Sequence, residues 1–139
     1  MTPSPMHASE TSEKQPPQVE PALRAVAMPA DANPQGDIFG GWLLSQMDLA
    51  GGTAATRRAK GRTATVAITA MTFHRPVFIG DVVTCYAEII KVGTTSITVK
   101  VESWVRRGTG EEQIEVTEGI FTYVAVGDDR RPRPVPPES

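Results

Sequence analysis

Beyond Gly61 the spacing of apolar residues changes from about 3.6 to about 2 and does not change back. Residues 63–73 (TATVAITAMTF) set Ala64, Val66, Ile68 and Ala70 on one face. Pro76 and Gly80-Asp81 mark a turn, and residues 82–92 then align Val83, Cys85, Ala87 and Ile89. Gly93-Thr94 reads as a tight hairpin connection. Residues 95–105 alternate most cleanly, with Thr95, Ile97, Val99 and Val101 inward and Ser96, Thr98, Lys100 and Glu102 outward. After a polar turn at Gly108-Thr109-Gly110, residues 113–126 place Ile114, Val116, Ile120, Val124 and Val126 at even positions of a last strand. Four long strands joined by short turns, with no helix between them, predict an antiparallel sheet and an α+β fold.

Such a sheet has one apolar face to cover, and only one segment of the chain can cover it. Residues 31–58 (DANPQGDIFGGWLLSQMDLAGGTAATRR) begin as a turn-rich loop marked by Asn33-Pro34 and Gly36-Asp37. From near Gly40 they take a helical period, with Leu43, Met47, Ala50 and Ala54 on one side. Basic residues at Arg57 and Arg58 suit the negative end of a helix that stops between Arg58 and Gly61. Gly51 and Gly52 in mid-helix each cost about 1 kcal/mol relative to Ala, which points to close approach by a neighbouring backbone. The economical arrangement is a twisted antiparallel sheet curled around this one central helix, the hotdog fold. A short first strand over Leu23 to Met28 precedes it.

Composition limits the domain and its partners. Nine of the 12 prolines fall in residues 1–22 and 128–139, which read as a disordered N-terminal tail and a flexible C-terminal tail around a domain at 23–127. A net charge of -2 argues against a nucleic-acid binder. No apolar run approaches about 20 residues, so no membrane span is expected. There is no basic-then-apolar leader pattern, and the single Cys85 leaves no internal disulfide. The expected location is the cytoplasm. With one Cys and only His7 and His74, no metal site is expected.

Asp48 is the one charge inside the apolar helix. An unpaired buried carboxylate costs several kcal/mol or gains a proton, so it needs a partner or a task. It can face solvent, pair with Arg57 or Arg58, or act on a substrate. Gly40-Gly41 at the helix start offers amides that can polarise a carbonyl. A carboxylate nearby can activate water or attack directly. Asn33 and Asp37 are either turn residues or loop groups returned to the helix start, and Asp37 is also a candidate cap. Ser45 lies in no nucleophile-elbow pattern. His74 and Arg75 are loop residues or phosphate contacts, and the run Arg130, Arg131, Arg133 is a solvated tail or a reach toward a phosphorylated ligand.

With these residues in view, the chain resembles the acyl-CoA thioesterases of the hotdog superfamily, and within them the bacterial short- to medium-chain hydrolases of the YciA type, relatives of the animal cytosolic acyl-CoA hydrolases. The resemblance covers residues 23–127 and is most specific at MPADANPQGDIFGGWLLSQMDLAGG, 28–52. TVAITAMTFHRPVFIGDVV, KVGTTSITVKVESWV and FTYVAV support it. It implies hydrolysis of an acyl-CoA to a free acid and CoA, with no cofactor beyond the CoA of the substrate. Asp48 is then the general base or nucleophile, Asn33 its partner from the loop, and Gly41 the oxyanion donor. The implied substrate contacts are Gly40, Thr65, His74, Arg75 and Thr94; relatives often carry a basic residue where this chain has Thr94. The family pattern also implies a homodimer with active sites shared between protomers, assembled further as a trimer of dimers.

Two other readings separate from this one by experiment. A non-catalytic acyl-CoA sensor would bind without cleaving. An enoyl-CoA hydratase shares the Asp31-Ala32-Asn33-Pro34 start, but that motif continues to a His where this chain has Gly36.

Overall fold

The computed structural model describes residues 14–138; most of the expected N-terminal tail, residues 1–13, lies outside the described residues. Strand β1 (Leu23–Val26) leads through a short 3-10 turn at Pro29–Asp31 to helix α1 (Gly40–Ala59). Four strands follow: β2 (Thr63–Phe73), β3 (Val82–Val92), β4 (Ser96–Arg106) and β5 (Ile114–Ala125). They form one sheet in the order β1-β3-β4-β5-β2, and every neighbouring pair is antiparallel. Helix α1 lies against the concave face of this curved sheet and touches all five strands.

The burial pattern follows the apolar period. Leu43, Met47, Ala50, Ala55 and Ala59 of α1 meet Val83, Cys85, Ile97, Val99, Val101, Phe121 and Tyr123 of the sheet. Burying each Leu, Met, Val, Ile or Phe among these contributes about 1.5–3 kcal/mol. In β4 the expected inward residues Ile97, Val99 and Val101 are fully buried. Burial of the Cys85 thiol pushes its pKa up from 9.0 to about 12, as expected of a small buried hydrophobe without redox or nucleophilic character.

Two strands depart from their sequence patterns. In β5, Val116 faces inward but Gly119, Phe121, Tyr123 and Ala125 then take over the buried face, and Ile120 and Val124 turn outward. The cause is a bulge: Ser103 pairs with Thr117 while the next residue, Trp104, pairs with Glu115, so one residue of β5 goes unmatched. An extra residue shifts a period-2 pattern to the other face. In β2, the face expected to be inward is open to solvent, with Val66 57% and Ile68 37% exposed. β2 is an edge strand whose register slips twice against β5, and Ala70, inside the second slip, has φ +49°.

The segment after β5, expected to be a flexible tail, lies along the domain in this structure. Val126 bridges Pro132, and Val135 N–H donates to the Thr94 carbonyl at 2.8 Å. Arg133 donates to the carbonyls of Val126 and Ala59, both at 3.0 Å. Its prolines are already extended, and its arginines are attracted to the carbonyl end of α1.

Candidate active site

The loop before α1 is folded around Asn33. Its side-chain oxygen accepts N–H bonds from Gln35 and Asp37, each at 3.0 Å. Its own N–H donates to the Asp37 carbonyl at 2.6 Å, and Gly36 N–H returns to the Asn33 carbonyl at 2.9 Å. Gly36 turns there with φ +92°, a conformation glycine adopts without steric cost. Two backbone donors identify the accepting atom as the oxygen. The Asn33 amide nitrogen makes no hydrogen bond among the described residues and is left to donate elsewhere. Asp37 is engaged in this loop and does not cap the helix: the N-cap is Phe39, without a side-chain cap bond.

Gly40 and Gly41 form the first turn of α1, where amides have no intrahelical acceptor. A Cβ added at Gly41 would meet nothing within 4 Å, and one at Gly40 would only touch the Phe73 ring at 3.8 Å. No contact among the described residues therefore demands glycine at 41.

Asp48 sits two turns further along. Its Oδ1 accepts the Thr65 hydroxyl at 2.8 Å and the Tyr123 hydroxyl at 3.0 Å. Tyr123 also reaches the Asp48 carbonyl oxygen at 2.9 Å. Asp48 Oδ2 has no hydrogen-bond partner among the described residues. Burial, and then the negative charge of Asp48, push the Tyr123 pKa upward, so its hydroxyl stays protonated and donates. Tyr123 reaches the helix because Gly51 has no side chain: a Cβ at 51 would run into the Tyr123 hydroxyl oxygen. The close approach expected at the mid-helix glycines is thus made by a tyrosine side chain.

A groove of about 530 Å³ opens beside this carboxylate, running from Asp48, Tyr123 and Thr65 past Thr53 to Thr56 and Arg57. One carboxylate oxygen is fixed by two neutral hydroxyls while the other remains open for a proton or an acyl carbon. That arrangement suits general-base or nucleophilic work.

The remaining expected residues are spread out. Thr65 joins Asp48, while Asn33, Gly40 and Gly41 cluster at the N-terminal end of α1 and do not line the groove. His74 follows β2, with Nε2 3.0 Å from Glu118 and 3.9 Å from Glu115. This contact with His74 holds the Glu118 carboxyl below its ordinary range, against a smaller upward push from burial. Carboxylates beside His74 oppose the phosphate contact expected of it. His74, Glu115 and Glu118 are also the one set of metal-type ligands among the described residues. Lys14 already supplies a cation there, 3.0 Å from Glu115. Thr94 lies in the β3–β4 connection, and among the described residues it bonds only through its backbone, to the C-terminal segment. Ser45 turns its hydroxyl onto the Trp42 carbonyl at 2.8 Å, as a helix-surface serine does. Tyr123 escaped the sequence reading because the β5 bulge reverses the strand's inward face.

Comparison with known proteins agrees with this geometry. Residues 35–111 match the thioesterase superfamily. The acyl-CoA thioester hydrolase YciA of Salmonella typhimurium is 53% identical over 123 residues, 86% of this chain and 92% of that protein. The hexameric thioesterase of Yersinia pestis superposes with a TM-score of 0.83 at 52% identity, covering 87% of this chain and 98% of that one. A hexameric broad-specificity acyl-coenzyme A thioesterase superposes at 0.82 with 46% identity, over 86% of this chain and 88% of that one. That last structure is of a mutant enzyme in which one aspartate is replaced by alanine.

Proposed function

The chain belongs to the thioesterase superfamily, and from that premise we propose that it hydrolyses acyl-CoA thioesters to the free acid and CoA through a site that two protomers share. Asp48 is the reactive carboxylate. Acting as a base, its Oδ2 takes a proton from water while the water oxygen adds to the thioester carbonyl. The carbon–sulfur bond then breaks, and the CoA sulfur leaves with a proton. Acting as a nucleophile, the same oxygen adds to the carbonyl carbon, the carbon–sulfur bond breaks and the CoA sulfur leaves and takes up a proton, and water then cleaves the resulting anhydride to the free acid and the Asp48 carboxylate. In either route Thr65 and Tyr123 hold Oδ1 and so fix the direction of Oδ2.

The negative charge that develops on the carbonyl oxygen needs donors. Gly41 lies seven residues before Asp48, about 10 Å away along its own helix, too far to act on the same carbonyl. Asn33 is held in the loop before the helix and does not line the groove beside Asp48. The partner subunit's Gly41 amide and the partner subunit's Asn33 amide fill these roles when β2 edges of two copies join. This explains the exposed β2 face, the undirected Asn33 amide and the glycine at 41 in open space. Three such dimers make a hexamer of the kind seen in the Yersinia pestis relative, and the cytoplasm, where acyl-CoA is formed, is the expected compartment.

The observation that carries this reading is the Asp48 carboxylate with one oxygen held by two hydroxyls and the other open. Asp48→Asn should lower kcat on an acyl-CoA by about 100-fold or more with the fold intact, the scale of a lost general base or nucleophile. Near-normal turnover by the folded variant, followed as thiol release, would remove Asp48 from the mechanism.

A further inference from the structure

We propose that Arg107, through its ion pair with Asp81, is a positioning residue that holds the Asn33 amide in place, a role that rests on the hydrolase reading above. Arg107 directly follows β4. Its Nε donates to both carboxylate oxygens of Asp81, at 3.2 and 3.1 Å. A terminal guanidinium nitrogen donates to the Pro76 carbonyl at 2.8 Å, and the guanidinium carbon lies 4.5 Å from the centre of the Phe78 ring. One side chain thus grips the connection between β2 and β3 at Pro76, Phe78 and Asp81.

Reversing the chain does not require this grip. Asp81 N–H donates to the Phe78 carbonyl at 3.0 Å, the bond that closes an ordinary β-turn. Asp81 is nevertheless only 3% exposed, and a carboxylate buried that far is costly without a cation and donors. Besides Arg107 it accepts the Phe78 N–H at 2.9 Å. The pair is explained by what the turn supports.

The turn supports the Asn33 loop. Ile38 N–H donates to the Val77 carbonyl at 3.0 Å, and Asp37 bridges Phe78. On their other side the same two residues meet the start of the loop: Ala32 bridges Ile38, and Asn33 N–H donates to the Asp37 carbonyl at 2.6 Å. Residues 37 and 38 are therefore a middle rung between the gripped turn and Asn33. Asp37 N–H then donates to Asn33 Oδ1 at 3.0 Å, which orients the amide nitrogen. These bridges lie outside the named strands, and isolated bridges on exposed backbone open easily. Clamping the turn that carries them keeps the amide aimed. The Arg107 contacts involve none of Asp48, Thr65 and Tyr123, so its loss should damage the donor half of the site and spare the carboxylate half.

Kinetics on an acyl-CoA test this. Arg107→Met should lower kcat roughly 10- to 100-fold, the scale of a misplaced catalytic group, with KM changed by less than about 2-fold. Arg107→Lys, still able to reach Asp81, should restore most of the loss. Should Arg107→Met fail to fold because Asp81 is left buried without its cation, Arg107→Met with Asp81→Asn removes that charge, breaks the same clamp and should show the same fall in kcat. Normal kcat in the folded clamp variant would overturn the proposal.

Epistasis separates positioning from general support. In one chain, Asn33→Ala with Arg107→Met should be no slower than Asn33→Ala alone, because no amide remains to aim. Multiplying losses would overturn the link. In mixed oligomers, Arg107→Met with Asp48→Asn should exceed both parents, while Arg107→Met with Asn33→Ala should not exceed their mean. The reverse pattern would place Arg107 with Asp48 and also overturn it. If Asn33→Ala and Asp48→Asn fail to complement each other while the single-chain masking holds, the shared site falls and the Arg107–Asn33 link stands.

Discussion

β2 and β4 are both 11 residues long and both alternate in sequence, yet they end in opposite environments. β4 lies inside the sheet between β3 and β5, and its apolar residues Ile97, Val99 and Val101 are fully buried by the chain's own helix. β2 ends the sheet; Val66 is 57% and Phe73 55% exposed. Alternation reports that a strand has two chemically different faces. It does not report which molecule covers them. An apolar edge strand left open invites pairing with another chain, and in the proposed function a second copy covers β2. The groove with Asp48 lies against that same strand, at Thr63 and Thr65. On that proposal, assembly and catalysis depend on one edge.

Substitutions in the two strands should fail in different ways. Val66→Lys with Ile68→Lys should abolish assembly and with it detectable thioesterase activity, while circular dichroism still shows a folded chain. Sedimentation would report the smaller species. An intact, active oligomer would remove β2 from the interface. In β4, Val101→Ala should instead lower protomer stability by roughly 2 kcal/mol, read as a shifted urea midpoint, with the oligomer and its kcat preserved once folded.

Smaller effects separate the site from its support. Tyr123→Phe removes one donor to Asp48, and a net hydrogen bond of about 1–1.5 kcal/mol predicts roughly a 10-fold loss in kcat. Gly51→Ala should do similar damage, because its new methyl displaces the Tyr123 hydroxyl. In a Tyr123→Phe background Gly51→Ala should cost much less, since the hydroxyl it displaces is gone. Equal penalties in both backgrounds would show that the glycine serves some other contact.

The smallest expected effect is alkaline. The Cys85 thiol ionises near 9.0 in the unfolded chain but only near 12 when buried. The unfolded state thus loses this proton first, and stability falls as pH rises from about 9 toward 12. Tyr123, also shifted upward, adds to the fall from its own ordinary range. Cys85→Ala should flatten the slope of unfolding free energy against pH, and an unchanged slope would place the alkaline loss elsewhere.

Much of this was readable from the chain alone, and the gaps have physical causes. The helix bounds were legible because Gly40-Gly41 and the basic stop at Arg57-Arg58 flank a clear 3.6 period. Asp48 stood out as a charge in an apolar row. Tyr123 did not, since one unmatched residue in β5 reversed which side chains point inward. Gly51 was noticed, but a missing side chain shows that something comes close without naming it. His74 reads as a loop residue and lies just past β2, but its partner was not legible, because Glu118 is 44 residues away in sequence and 3.0 Å away in space. The covering of β2 is absent from any single-chain pattern.

The most direct test of a shared site is to mix two inactive parents, Asn33→Ala and Asp48→Asn, after dissociation and reassembly. Each mixed dimer would rebuild one intact site from the unaltered Asp48 of one protomer and the unaltered Asn33 of the other. Random pairing then predicts recovery of about one quarter of wild-type activity from an equal mixture. A mixture confirmed to contain mixed dimers, yet no more active than its parents, would contradict the shared site.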